Sequence, residues 1–315
     1  MSSTLISPGT IRSNITDPSV FDVIIIGGSF AGLSAALALG RARRTVLVID
    51  AGEPCNHMVK EAHNFITHDG DDPNLLRARA KDELTHYDTV RVIAGSVDRV
   101  SGSDGAFRVS MDEQVLLGRR ILLATGVKDL SPPIPGLAEC WGTSVLHCPF
   151  CHGYEVRDSA LGVLGSGAVG FEFARTIRNW SRKLILLTNG PSELTTEHAD
   201  ELTAHDVMVI EDPIAQLVHH DGQLTHVEFT NGRRMELKAL FARLPFSIPQ
   251  EIVLPLGCTL TDSGHVQVDG LNRTNVAGVF AAGDLTSPMR SLAAAIASGN
   301  IAGASITHSL VSQWQ

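Results

Sequence analysis

Apolar residues along this chain gather in short, nearly unbroken runs. Phe21-Asp22-Val23-Ile24-Ile25-Ile26, Thr45-Val46-Leu47-Val48-Ile49 and Lys183-Leu184-Ile185-Leu186-Leu187 are of strand length and rich in aliphatic residues. That pattern predicts strands buried on both faces of a parallel sheet. Two such runs, the first and Ala160-Leu161-Gly162-Val163-Leu164, lead straight into glycine turns. Helical stretches follow, one to about Leu39 and one to about Trp180. Between these units the pattern predicts short strands at Thr89 to Ile93, Phe107 to Met111 and Arg120 to Ala124. Turn clusters such as Ser101-Gly102-Ser103-Asp104-Gly105 separate them. Ser131-Pro132-Pro133-Ile134-Pro135-Gly136 reads as a linker and a domain boundary, with a return to the first unit near Leu244-Pro245. A strand from Val276 ends in Gly283-Asp284, and an alanine-rich helix is expected from about Ser291 to Leu310. Met1 to about Pro18, rich in Ser, Thr and Asn, reads as a loose arm, and Trp314 as a frayed end or an aromatic lid. The expected class is α/β, with two Rossmann-like, three-layer nucleotide-binding units.

Each glycine turn carries chemistry. Gly27-Gly28-Ser29-Phe30-Ala31-Gly32 opens a helix, and the following strand ends in Asp50. Glycines for the tight turn, a helix N-terminus for pyrophosphate and an acid for ribose hydroxyls make up the dinucleotide-binding pattern. The middle glycine is replaced by Ser29, which narrows the backbone's approach to phosphate. The second turn, Gly165-Ser166-Gly167-Ala168-Val169-Gly170, is complete, but its second strand ends in Thr188-Asn189-Gly190. Neither an acid for a ribose nor an arginine pair for a 2′-phosphate stands there. Gly165, Gly167 and Gly170 therefore have two readings of similar weight, a nucleotide loop and a packing turn. His57, His63, Asn64 and His68 lie in a loop-like stretch beyond Asp50. Solvated loop residues are the default there, and reach to a cofactor ring is the alternative.

Charge and cysteine use narrow the classes. The 315 residues suffice for about two domains. They carry 34 acidic against 25 basic residues, a formal charge of −9, which argues against nucleic acid or an anionic membrane as the main partner. No apolar run reaches membrane-spanning length and the first stretch lacks a signal-peptide core, so a cytoplasmic protein is expected. Five cysteines without framework spacing fit a reducing compartment with one working pair. That pair is Cys148 and Cys151, in His147-Cys148-Pro149-Phe150-Cys151-His152-Gly153-Tyr154-Glu155. Pro149 suits the first position of a helix, which would set Cys148 at its positive end and favour a thiolate. Half of a zinc site is the competing reading, but Cys55, Cys140 and Cys258 stand alone, so no metal is expected. A static disulfide across so short a loop would constrain the unfolded chain little.

GGSFAG, Asp50, LLATG, CPFC, GSGAVG and FAAGD occur together, in order, over nearly the whole chain beyond its first twenty residues. This set resembles the low-molecular-weight thioredoxin reductase family. HCPFCHGYE and the loop at His63-Asn64-Phe65 resemble the branch with the dithiol oxidases of gliotoxin, holomycin and romidepsin biosynthesis, and with bacterial relatives lacking the NADPH site. The resemblance implies a discontinuous FAD domain, residues 1–125 and 246–315, with an inserted domain, 126–245, carrying the cysteine pair. It implies FAD held by Gly27, Gly28, Ser29, Gly32, Asp50, Gly283 and Asp284, with Asn64 near the flavin ring. It further implies that Cys151 faces the flavin and that Cys148 exchanges with the partner. His152 stands where thioredoxin reductases carry a proton-shuttling acid, and a histidine suits that role. A homodimer is expected on the same ground. The departure is the region Thr188 to Glu193, which has no Lys or Arg where those reductases bind the NADP 2′-phosphate.

The leading expectation is an FAD-dependent thiol–disulfide oxidoreductase acting on a dithiol or disulfide partner, a small protein or small molecule. One alternative is an oxygen-dependent dithiol oxidase, and another is an NAD(P)H-dependent disulfide reductase. From other classes come a flavin-and-disulfide redox sensor, which would react once and stop, and a zinc-binding interaction module.

Overall fold

The structure is a computed structural model and describes residues 20–312; the amino-terminal arm and Trp314 lie outside the described residues. The first apolar run forms β1 (Phe21–Ile26), α1 (Phe30–Arg41) follows the glycine turn, and β2 (Val46–Asp50) carries Asp50 at its end. Helix α2 (Pro73–Leu84) was not expected. Its apolar positions are sparse, and what starts it is Asp72, whose side chain accepts from the Asn74 amide, followed by Pro73. Next come β3 (Val90–Ala94), β4 (Arg99–Ser103), β5 (Ala106–Met111) and β6 (Gln114–Leu123). The expected turn cluster at Ser101–Gly105 is thus corrected: Ser101–Ser103 is strand, paired antiparallel with β5, and only Asp104-Gly105 turns.

The chain then makes β7 (Lys128–Asp129), the short helix α3 (Leu137–Cys140), β8 (Val145–Leu146) and the single-turn helix α4 (Pro149–His152). A second α/β unit follows as β9 (Leu161–Leu164), α5 (Gly167–Ile177), β10 (Leu184–Leu187), α6 (Thr196–Ala204) and β11 (Met208–Ile210). A three-stranded antiparallel sheet, β12 (Ile214–His220), β13 (Gln223–Phe229) and β14 (Arg234–Glu236), precedes β15 (Ala239–Ala242). The chain crosses back through β16 (Phe246–Ser247) and ends with α7 (Gln250–Val253), β17 (Val279–Ala281) and α8 (Leu292–Val311). Helix α5 stops at Ile177, short of Trp180, which packs instead beside Gly153: a Cβ on that glycine would lie 2.7 Å from the indole nitrogen.

Two sheets result. In the first, order β3-β2-β1-β6-β5-β4, β17 also pairs in parallel with β6, so a strand from residue 279 onward completes a sheet begun at residue 21. The second has order β11-β10-β9-β15-β8, and all its pairings are parallel. The two crossings between them run antiparallel, Phe246 opposite Asp129 and Ser247 opposite Lys128.

Helices α1 and α8 cover the first sheet with small residues at their contact. A Cβ on Gly299 would lie 2.0 Å from the Ala31 carbonyl oxygen, so only glycine permits this approach. Arg120 on β6 is 2% exposed; its guanidinium binds the Asp104 carboxylate at 2.5 Å and both the hydroxyl and the carbonyl of Ser309. A buried arginine thus fixes the last turn of α8 to the β4–β5 turn. Among the described residues no helix is long and apolar enough to cross a membrane.

Candidate active site

The first glycine turn is built by close approach. Gly27 has φ +109°, and a Cβ there would lie 2.2 Å from the Ala124 carbonyl oxygen. A Cβ on Gly28 would lie 2.5 Å from that of Asp50, and one on Gly32 1.9 Å from the Gly27 oxygen. The turn therefore leaves its backbone bare beside Asp50, the cradle that a dinucleotide phosphate requires. Both Asp50 oxygens already have donors, the Gly52 amide at 3.0 Å and the Lys81 ammonium at 2.6 Å. Burial alone would raise this carboxyl, but the Lys81 and Gly52 contacts outweigh it and hold Asp50 below the usual carboxylate range.

Beyond the turn opens a cavity walled by both parts of the chain. Ser29 and Gly283-Asp284 line one side; Cys148, Cys151 and His152 line another. Cys148 is the N-cap of α4 with Pro149 at the first helical position, as expected. The two cysteines are joined as a disulfide with Cα atoms 5.3 Å apart. Gly153 ends α4 after one turn, so the dipole effect on Cys148 is that of a minimal helix. Helix α8 begins at the cavity wall, its N-cap Ser291 accepting from the Ala294 amide.

Not every residue expected at the site reaches this cavity. Gly27, Gly28, Gly32 and Asp50 form the turn next to it, not its lining. Asn64 is exposed, in a left-handed conformation (φ +60°), and donates its amide to Asp69 at 2.7 Å; its neighbour His63 lines the cavity instead. Gly165, Gly167 and Gly170 lie apart, at the head of α5. A Cβ on Gly170 would meet the Gly165 backbone at 2.7 Å. The Gly167 amide donates to the Ser192 carbonyl at 2.7 Å, and the Ser166 hydroxyl to the same oxygen at 2.8 Å. The first amide of α5 is thereby satisfied by the chain itself. Around it stand Glu193 and Glu211, the latter accepting from the Ser192 amide at 2.9 Å.

The cavity also holds residues given no place in the site by the sequence: Arg290, Asp129, Cys55 and His147. Arg290 makes a two-pronged ion pair with Asp129, 2.7 and 2.8 Å, and approaches Asp284 at 3.6 Å. Burial raises the Asp284 carboxyl despite Arg290. Cys55, exposed on its loop, donates toward the Asp284 carboxylate at 3.7 Å, and that negative charge raises its thiol pKa. His147 lines the cavity too. Burial and then Arg290 push its pKa down to about 4, and its Nδ1 is buried without a hydrogen-bond partner among the described residues. Its imidazole is thus held neutral, with one buried nitrogen whose hydrogen-bonding capacity the described residues leave unfilled. The signal for His147 was its place directly before Cys148; the Arg290–Asp129 pair joins positions 161 residues apart and left none.

A profile of the pyridine nucleotide-disulphide oxidoreductases matches residues 21–299. The chain belongs to that family. Thioredoxin reductase tcpT of Claviceps purpurea is 33% identical over 301 residues, 90% of this chain and 92% of that protein. Thioredoxin reductase sirT of Leptosphaeria maculans is 32% identical over 92% of this chain and 94% of its own. Among solved structures, the oxidoreductase from Agrobacterium tumefaciens superposes with TM-score 0.88 at 36% identity, covering 94% of this chain and 100% of that one. HlmI superposes with TM-score 0.88 at 35% identity, 93% of each chain. This family member is thus a thioredoxin-reductase-like flavoprotein disulfide oxidoreductase whose cofactor is FAD. The bare glycine turn, Asp50 and the cavity at its mouth fit that cofactor.

Proposed function

We propose that Cys148 and Cys151 carry electron pairs between FAD and a dithiol or disulfide substrate, with the donor or acceptor other than NADPH. The observation that carries this reading is the formed disulfide in the wall of the same cavity as Ser29, Gly283 and Asp284. The residues proposed to hold the cofactor are Gly27, Gly28, Ser29 and Gly32 at the pyrophosphate, Asp50 at a ribose, and Gly283 and Asp284 at the ribityl chain. Asn64, exposed and outside the cavity lining, is left with a supporting role for its loop. Bound there, FAD supplies a two-electron acceptor or donor.

The chain's own residues account for the exchange. A substrate thiolate attacks Cys148 Sγ, the Cys148–Cys151 bond breaks, and Cys151 leaves as a thiolate. The substrate's second thiolate then attacks the mixed disulfide, closing its own bond and releasing Cys148. One disulfide forms as one breaks, and two protons leave the substrate. His152, beside Cys151 in the cavity wall, is the group proposed to take and return them.

The closed second loop supports a route without nicotinamide: the Ser192 carbonyl occupies the amide a pyrophosphate would use, and Glu193 and Glu211 repel phosphate. Gly165, Gly167 and Gly170 are on this view a packing turn. We further propose the division into 1–125 with 246–315 and an inserted 126–245, a homodimer, and a cytoplasmic location; the charge of −9 supports a partner that is neither nucleic acid nor membrane. The test is to add dithiothreitol, NADPH or NADH separately to the yellow protein under argon. Bleaching by the dithiol alone, with colour restored by air, is the expected result and favours dithiol oxidation. Rapid bleaching by NADPH would overturn the closed-loop reading. A single turnover that then stops would mark a sensor.

A further inference from the structure

His63 was expected to be a solvated loop residue, yet its side chain is only 16% exposed and lines the cavity with the disulfide. Three carboxylates surround it. Glu61 lies 3.6 Å from Nε2 and Asp69 3.6 Å from Nδ1, both on its own loop. Glu155, four residues beyond Cys151 in the cysteine segment, lies 3.7 Å from Nε2. His152 stands edge-on to the same ring, centroids 6.3 Å apart. The loop itself is tied down by the Ala62–Asp71 bridge and by the Asn64 amide on Asp69.

We propose that His63 is a positioning residue for the disulfide exchange, joining its loop to Glu155 and setting the charge around His152 beside Cys151. The inference rests on the reading above, in which His152 handles protons for the cysteine pair. These separations exceed a direct hydrogen bond, so the coupling is electrostatic. The charged and titratable groups facing the pair are Glu61 and Asp69 from the loop and Glu155 from the cysteine segment. Burial is the main cause that lowers the His152 pKa; the charge of His63 adds to it, and Glu155 opposes it. Removing either neighbour must therefore move His152 in opposite directions, which a purely structural role would not do.

The test is a pH titration of the histidine ring protons by NMR in the FAD-loaded protein, with the His152 signal identified by its loss in His152→Gln. His63→Gln is expected to shift the His152 midpoint upward and Glu155→Gln to shift it downward. The acidic limb of flavin bleaching by dithiothreitol should follow each shift. A midpoint unchanged in either variant, or moved the same way in both, overturns the inference. Should His63→Gln fail to fold, His63→Asn is titrated in its place, and an unmoved His152 midpoint in that variant overturns the inference. If dithiothreitol bleaches no variant, the proposed function fails, and the NMR titration still decides whether His63 and Glu155 act on His152.

Discussion

The ion pair between Arg290 and Asp129 should be the most costly single contact to break near the cofactor cavity. Arg290 is 12% exposed and Asp129 7%, and both prongs are shorter than 3 Å. Asp129 sits on β7, one of the two crossings between the sheets, and Arg290 precedes α8 at the cavity wall. Arg290→Met leaves two buried carboxylates, Asp129 and Asp284, without their cation. Removing one partner of a buried pair costs about 3–5 kcal/mol. At roughly 2 °C per kcal/mol for a chain of this size, the melting midpoint should fall by about 6–10 °C. Asp129→Asn should fall by a similar amount, at the lower end because the amide still accepts one hydrogen bond. The double variant Asp129→Asn/Arg290→Met removes both charges and should lose less than the two singles together, by at least about 2 kcal/mol. The assay is thermal unfolding followed by flavin fluorescence, which reports cofactor release, and in parallel by circular dichroism. Midpoint losses that simply add would refute the reasoning, because the pair would then contribute nothing as a pair.

Two further outcomes follow from the same geometry. Gly32→Ala puts a methyl 1.9 Å from the Gly27 oxygen, so α1 must back away from the turn by about 1 Å; a loss of about 1–3 kcal/mol and a purified protein depleted of FAD are expected, measured by unfolding and by the 450 nm absorbance per chain. His147 is neutral when folded, with its pKa down to about 4 against about 6.5 unfolded. Its contribution is therefore intact above pH 6.5 and is lost as pH falls toward 4, because the unfolded chain takes the proton first. The loss should reach about 3 kcal/mol at most, and His147→Gln should flatten the melting-point profile over that window.

Much of this architecture was legible because its causes are local. β1, α1 and β2 follow from an apolar run, glycines that no Cβ could replace, and a second apolar run ending in Asp50. Cys148-Pro149 likewise announced a helix start, which α4 bears out. Helix α2 leaves no periodic signal because its stability comes from a cap and from packing rather than from an apolar stripe. β4 resembles a turn in sequence because glycine and serine are poor strand formers, and pairing with β5 overrides that preference. What periodicity cannot carry is contact across the chain: Arg290 with Asp129, Cys55 with Asp284, and His63 with Glu155 are set by how the two sheets meet. Asn64 and His63 show how finely a loop divides: His63 lines the cavity, while its exposed neighbour Asn64 holds Asp69 through its amide.

The most direct test of the central claim is a thiol count made alongside the flavin spectrum. Five cysteines, two of them paired, leave three free thiols, Cys55, Cys140 and Cys258. The protein denatured before reduction should titrate as three thiols. After reduction by a gel-immobilised dithiol under argon, and removal of the gel, it should titrate as five with the flavin bleached, and admitting air should return both the colour and the count of three. Recovery of the colour with the count still at five would contradict the account, because electrons would then leave the flavin without passing from Cys148 and Cys151.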